Sequence, residues 1–216
     1  YGTSNLNATL VTIAIVDYGM GNLKSVYNAL DILGHEADLV NDPSKLQNYD
    51  HVILPGVGSF RVCMENLRKI GFDQALIEYV QTGNPLMGVC LGMQILASKG
   101  YEDGETKGLD LIPGEIKKFS TDDLSIKIPH VGWNDVEFKW TDNPIGKGVK
   151  KKDTFYFTHS FYFECSDKNH IIAETNHGVN FTSAVFRDNI FATQFHPEKS
   201  QEMGLRLFKN FISWKP

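Results

Sequence analysis

The chain has 216 residues, of which 42% are hydrophobic and 22% charged, with a formal net charge of -5 at pH 7. A chain of this size suits one well-packed domain. Its 21 Lys and Arg are outnumbered by 26 Asp and Glu, which argues against a nucleic-acid partner, and no apolar run approaches the ~20 residues that cross a bilayer.

In chain order, the polar opening YGTSNLNATL lacks the charged and apolar regions of a signal peptide, and position 1 is not Met. Residues 1–11 are therefore expected to be a disordered leader, added or processed, with one domain over 12–216. TIAIV (12–16) is a short β-rich run. After the turn DYGMGN, Leu23, Val26, Tyr27, Leu30 and Leu33 recur at helical spacing and Gly34 ends the pattern. ADLV (37–40) and HVILP (51–55) are the next strands. Phe72, Ala75, Leu76, Tyr79 and Val80 mark a second amphipathic helix leading into the strand PLMGV. Strands that alternate with helices predict an α/β fold, an open and mostly parallel sheet with helices on both faces. From about Leu109 the chain turns to short strand-like runs, SIKIPHVGW, NDVEF, TFYFTHSFYFEC, HIIAET, TSAVF and NIFATQF, which predict an antiparallel section in the second half. The basic residues Lys147, Lys150, Lys151 and Lys152 read as a solvated loop. In the last helix Met203, Leu207, Phe208, Phe211 and Ile212 share a face.

Gly88-Val89-Cys90-Leu91-Gly92 places a thiol between two glycines where a strand runs into a helix. Small flanking residues permit the strained turn of a nucleophile elbow, and the positive end of the helix would lower the thiol pKa from ~8.5. A buried structural cysteine is the plainer alternative. The nucleophile needs a base, and FATQFHPEKS runs a strand into His196-Pro197-Glu198. Alternation at a strand end would put His196 and Glu198 on one side, the carboxylate fixing the imidazole's tautomer and charge. LPGVGSF (54–60) offers backbone amides for a developing oxyanion, alongside the amide of Leu91. Neither this loop nor GMGNLK is a dinucleotide fingerprint, because Arg61 and Lys24 stand where a third glycine is needed. Cys63, Cys90 and Cys165 allow no disulfide framework or paired Cys-x-x-Cys site and fit a reducing, cytoplasmic setting. No His, Cys and carboxylate cluster has metal-ligand spacing, so no metal is expected, and no organic cofactor is implied.

Taken together, PGVG, GVCLGMQ and QFHPEKS, in this order and separation, resemble the class I (triad) glutamine amidotransferases, with a flavodoxin-like sheet, over nearly the whole chain from Thr12. VDYGMGNLKSV, LPGVGSF, PHVGWN and FYFTHSFY are similar to the branch of glutaminase subunits of imidazole glycerol phosphate synthase. The resemblance implies that Cys90 attacks the side-chain amide of L-glutamine, that His196 acts as base and then acid, and that Glu198 orients it. It further implies oxyanion amides at Val57 and Leu91, substrate contacts at Gly56, Gly58, Gln94, Ser160 and Phe161, and a loop peptide at Val57 that must reorient before the site is competent. The implied partner is a (β/α)8 cyclase subunit, in a heterodimer of histidine biosynthesis, with interface positions at Asn22, Trp133 and Lys199 and around Asn134. Arg61 departs from the pattern, standing where this branch often has glycine and putting bulk beside the oxyanion loop. Two other readings exist: a paralogous subunit serving a synthase that aminates a surface sugar, and a redox-sensing protein of the same superfamily. The second leaves Gln94 and Glu198 without a purpose.

Overall fold

The computed structural model describes residues 10–216. Of the leader expected over 1–11, residues 1–9 lie outside the described residues. The parallel part is built from β1 (Ile13–Val16), α1 (Leu23–Ile32), β2 (Asp38–Val40), β3 (His51–Leu54), α2 (Phe60–Ile70), α3 (Phe72–Gln81) and β4 (Leu86–Val89). A single helical turn, α4 (Leu91–Gln94), follows β4 directly, then the two-residue strands β5 (Lys99–Gly100) and β6 (Thr106–Lys107) and the longer β7 (Gly114–Lys118). The second half holds β8 (His130–Phe138), β9 (Lys152–His159), β10 (Phe161–Cys165), β11 (Ile171–His177), β12 (Val179–Arg187), β13 (Ile190–Thr193) and the closing α5 (Gln201–Ser213).

The sheet runs β2-β1-β3-β4-β13-β12-β10-β7-β5-β6, parallel from β2 to β13 and antiparallel from β13 through β12 and β10 to β7. β11 branches from β12 and carries β8 and β9. This is the expected α/β architecture. Period-2 alternation sorts the strand residues between two cores: Ile13, Ile15, Ile53, Met87 and Val89 pack beneath α1 and α5, while Ala14, Val16, Val52, Leu54 and Leu86 pack beneath α2 and α3.

Local sequence explains most boundaries, and three differ from the sequence reading. Helix α2 was not read from the sequence, yet it has Ser59 as an N-cap accepting from the Val62 amide, Phe60, Cys63, Met64 and Leu67 buried on one face, and Gly71 left-handed at its end. The runs SIKIPHVGW and NDVEF meet in one strand, because His130, Val136 and Phe138 face inward while Val131, Trp133 and Asp135 face solvent in unbroken alternation. TFYFTHSFYFEC is instead split at Ser160 into β9 and β10, which pair with different neighbours. The lysines at 147, 150 and 151 are exposed in the loop before β9, as expected, while Lys152 opens that strand and reaches Asp135 at 3.2 Å.

Candidate active site

β4 and β13 are parallel neighbours in register, Val89 opposite Thr193, so the residues that follow each strand emerge side by side at the sheet's carboxyl edge. Cys90 leaves β4 and Gln194, Phe195 and His196 leave β13. The Cys90 amide donates to the Thr193 carbonyl at 2.8 Å, which locks the two exits together.

Cys90 takes φ 55°, ψ -112°, a conformation that a residue with a side chain adopts only under strain. The two glycines make it possible. A Cβ on Gly88 would meet the Gly92 carbonyl oxygen at 2.6 Å, and one on Gly92 would collide with the Leu54 carbonyl. The helix after the elbow is only the one turn of α4, so the dipole expected to lower the thiol pKa is that of four residues rather than of a full helix. What faces the thiol is polar instead: the Gln194 side-chain amide donates toward Sγ at 3.8 Å, and Sγ lies 3.9 Å from the Thr158 carbonyl.

His196 is 1% exposed and its Nδ1 lies 2.6 Å from Oε1 of Glu198, itself 2% exposed. They do not meet by strand alternation. β13 ends at Thr193, and Pro197–Lys199 is a 3-10 turn that folds the carboxylate back under the ring. The backbone of His196 is held from both sides, its amide donating to the Tyr156 carbonyl at 2.9 Å and its carbonyl accepting from the Ser200 hydroxyl at 2.6 Å. Nε2 is buried without a hydrogen-bond partner and shares the cavity wall with Cys90. Burial works against charge on this ring, but the adjacent Cys90 sulfur and the Glu198 carboxylate outweigh it and push His196 up to about 10. An imidazolium at His196, facing the Cys90 sulfur, is the state this arrangement favours.

These groups open on a cavity of about 220 Å³ lined by Val57, Gly58, Cys90, Leu91, Gln94, Glu102, Pro129, Thr158, His159, Ser160, Phe161 and His196. Among the expected substrate contacts, Gly58, Gln94, Ser160 and Phe161 are in this wall, but Gly56 is not. It lies behind the wall, where a Cβ would come within 2.6 Å of the Tyr18 hydroxyl. The two expected oxyanion donors are near each other but do not converge. The Leu91 amide donates to the Gly56 carbonyl at 3.3 Å. Because the peptide is planar and trans, the Val57 N–H on its other side points away from Leu91. Turning over that one peptide would free the Leu91 amide and direct the Val57 amide to the same spot. Tyr18 holds the preceding residue, its hydroxyl donating to the Pro55 carbonyl at 2.7 Å and accepting from the Cys63 thiol at 3.3 Å. Arg61 does not crowd the loop: it lies in the first turn of α2 and donates through Nε to the Thr106 hydroxyl at 3.3 Å.

Glu102 was missed in the sequence. Its carboxylate lines the cavity, with Oε2 accepting from the Phe60 amide at 2.9 Å. In GYEDGE it stands among other acidic residues of a turn, and no local pattern distinguishes it. Outside the cavity, Trp133 is 50% exposed and Val131 57% exposed. Trp133 meets Tyr156 edge-on at 6.0 Å between ring centroids, and Lys199 Nζ lies 5.8 Å from the same tyrosine ring. Asn22 caps α1 without a side-chain bond to the helix, and α1 packs on the Pro197–Lys199 turn. Asn134 faces inward, its carboxamide bonded to His130 and to the Asn176 carbonyl.

The sequence pattern of the family Glutamine amidotransferase class-I matches residues 14–214. The chain is 46% identical over 200 residues to the imidazole glycerol phosphate synthase subunit HisH 1 of Campylobacter jejuni, covering 92% of this chain and 98% of that one. It is 42% identical over 203 residues to the HisH subunit of Syntrophotalea carbinolica, with the same coverage of 92% and 98%. Among solved structures, PurLQS from Thermotoga maritima superposes with a TM-score of 0.75 at 22% identity, over 94% of this chain and 98% of that one, a likeness of fold. Sequence pattern, relatives and fold agree, and the chain belongs to the class I glutamine amidotransferases and, among them, to the HisH family of glutaminase subunits of imidazole glycerol phosphate synthase.

Proposed function

We propose that Cys90, His196 and Glu198 are the catalytic triad of this glutaminase. The observation that carries the reading is the buried His196–Glu198 pair at 2.6 Å on the wall shared with a strained, polar-faced Cys90. The Cys90 thiolate attacks the side-chain amide carbon of L-glutamine, and the carbonyl oxygen becomes an oxyanion held by the amides of Leu91 and, after its peptide turns over, Val57. His196 gives its Nε2 proton to the departing nitrogen, which leaves as ammonia with formation of a glutamyl thioester. Nε2 of His196 then takes a proton from water as the hydroxyl adds to the thioester. Collapse returns the thiolate and releases glutamate. Gly58, Gln94, Ser160, Phe161 and Glu102 hold the amino-acid end of the substrate, the carboxylate of Glu102 suiting its α-ammonium.

The Gly56 carbonyl on the Leu91 amide supports a resting state of low activity, in which the partner's contribution is to favour the turned peptide. That partner is the (β/α)8 cyclase subunit, docking over Trp133, Lys199 and Asn22 and receiving the ammonia. Half-exposed Trp133 beside Tyr156 and Lys199 supports this face as the interface. We place the complex in the cytoplasm; none of the described helices is long and apolar enough to cross a membrane, and the three free cysteines, Cys63, Cys90 and Cys165, fit a reducing compartment.

Glutamate release from glutamine is the test, for wild type and Cys90→Ser, alone and with the cyclase and its nucleotide substrate. The expected result is turnover that rises by orders of magnitude with the liganded cyclase and falls by about 10⁴-fold or more in Cys90→Ser. Wild type that stays silent with this partner would remove the pathway assignment and make a sugar-modifying synthase the partner to try.

A further inference from the structure

The cavity wall at Ser160 and Phe161 is held from behind by a chain of buried polar groups that the triad does not use. The Phe161 carbonyl accepts from two sides, from Nδ1 of His159 at 2.7 Å and from Nε2 of Gln94 at 3.1 Å. Nε2 of His159 lies 2.8 Å from Nδ1 of His130, and Nε2 of His130 lies 3.1 Å from the Asn134 amide nitrogen. On the other side Gln94 gives its second amide hydrogen to Oε1 of Gln194 at 2.9 Å, and the Gln194 amide points at Cys90 Sγ.

Donor and acceptor roles along this chain follow from its fixed end. A carbonyl can only accept, so Nδ1 of His159 carries hydrogen. Burial pushes His159 down to about 3 and His130 down to about 4, the stacked ring of His177 adding to the second, so both rings are neutral. His159 Nε2 is then bare and must be served by a hydrogen on His130 Nδ1, which leaves His130 Nε2 bare for the Asn134 amide. The remaining Asn134 hydrogen goes to the Asn176 carbonyl at 2.9 Å, and its Oδ1 accepts from the Asp135 amide at 2.8 Å. Every group is satisfied in one orientation only. Gln94 is fixed by the same logic: both of its hydrogens face acceptors, so only its Oε1 remains to be offered to a ligand.

We infer that His130 and His159 are positioning residues for glutamine. They pin the Phe161 carbonyl and thereby orient Gln94, so that its oxygen and the Glu102 carboxylate together present acceptors to the substrate's α-ammonium. The pair touches no reacting atom, and its effect falls on substrate binding rather than on the chemical step. This inference rests on the glutaminase reading above and adds the origin of the pocket's preference for an α-amino acid.

Two measurements test it. In the cyclase-bound enzyme, His159→Phe raises KM for glutamine roughly three- to tenfold with kcat little changed, as expected when the Phe161 carbonyl loses one of its two neutral hydrogen bonds. It also narrows the preference for glutamine over its analogue lacking the α-amino group, and His159→Asn, whose amide nitrogen replaces Nδ1, restores most of both. In wild type with ¹⁵N-labelled histidine, nitrogen spectra show His159 neutral and protonated on Nδ1 at pH 6. Unchanged KM and preference in a folded His159→Phe, or a His159 that is charged or protonated on Nε2, would overturn the inference. Should His159→Phe not fold, the wild-type spectrum decides by itself. Absence of glutamate release from wild type with its cyclase would instead count against the glutaminase reading, leaving the tautomer result to stand separately.

Discussion

His196 and His159 border one cavity, with His130 hydrogen-bonded behind His159, and the protein gives the two sides opposite charge. His196 is 1% exposed and held up to about 10, while His159 and His130, 7% and 4% exposed, are held down to about 3 and about 4. Burial alone would neutralise all three. The difference lies in what each ring faces: Glu198 and Cys90 for His196, but a carbonyl, an amide and other histidines within a shell of Phe119, Phe157 and Phe181 for the pair. A buried imidazole is thus charged where a sulfur and a carboxylate face it and a fixed neutral connector where neither does. The proposed reaction needs both kinds, one to move a proton and one to keep its hydrogens where they are.

The comparison breaks most completely if its carboxylate is taken away. Glu198→Gln leaves a neutral group of nearly the same shape under His196, and turnover in the cyclase complex is expected to drop by about 10² to 10⁴-fold. Titration of His196 by NMR should show its pKa falling below about 10, with the Cys90 sulfur keeping part of the rise. A variant with wild-type turnover would mean that Glu198 only packs. Acid sharpens the other half of the contrast. Between the unfolded value near 6.5 and their folded values, His130 and His159 bind fewer protons in the fold than in the unfolded chain. Stability that is present above about pH 6.5 is therefore lost as pH falls, at up to roughly 1.4 kcal/mol per pH unit for each ring. The urea midpoint of wild type should decline from pH 7 to 4.5 more steeply than that of His159→Phe, and equal slopes would show that the pair takes up protons freely in the fold. His196 has the opposite sign, its contribution being complete below about pH 6.5 and lost as pH rises toward about 10.

The smallest expected effect separates charge from placement. Ser200 accepts from the Tyr156 amide at 3.1 Å and donates to the His196 carbonyl at 2.6 Å. Ser200→Ala takes the hydroxyl from the Tyr156 amide and leaves the His196 carbonyl with the Lys199 amide at 3.1 Å, which costs about 1 to 3 kcal/mol in urea unfolding. Turnover should fall only several-fold, with the His196 pKa still raised. A pKa that collapses with this change would show that the clamp, rather than Cys90 and Glu198, sets the charge.

Much of this was legible along the chain because the signals are local. Gly88 and Gly92 announce the elbow by the absence of side chains that would strike the Gly92 and Leu54 carbonyls. His196-Pro197-Glu198 places the proposed base and its carboxylate within one turn. Helix α2 is equally local, carrying its cap and its buried face in plain order directly after the glycine-rich loop. The length of α4 was a different matter. GVCLGMQIL reads as a helix, but after Gln94 the chain leaves the helix and its backbone meets the residues near 108–112, Leu109 donating to the Ile95 carbonyl and Ile112 to that of Leu96. Those bonds belong to the tertiary structure.

The sequence by itself determined the alternating architecture, the strained thiol and the adjacency of His196 and Glu198, all consequences of periodicity and of residues a few positions apart. Only the tertiary structure decided that β13 lies beside β4 and so brings a residue near position 196 to one at position 90. It also decided that Glu102 faces the cavity, that the Gly56 carbonyl occupies the Leu91 amide, and that three histidines of one residue type divide into a charged one and a neutral pair. The physical reason is common to all of these. Charge state and donor direction are set by whichever polar group stands within about 3 Å, and in this fold that neighbour is often contributed by a distant stretch of chain.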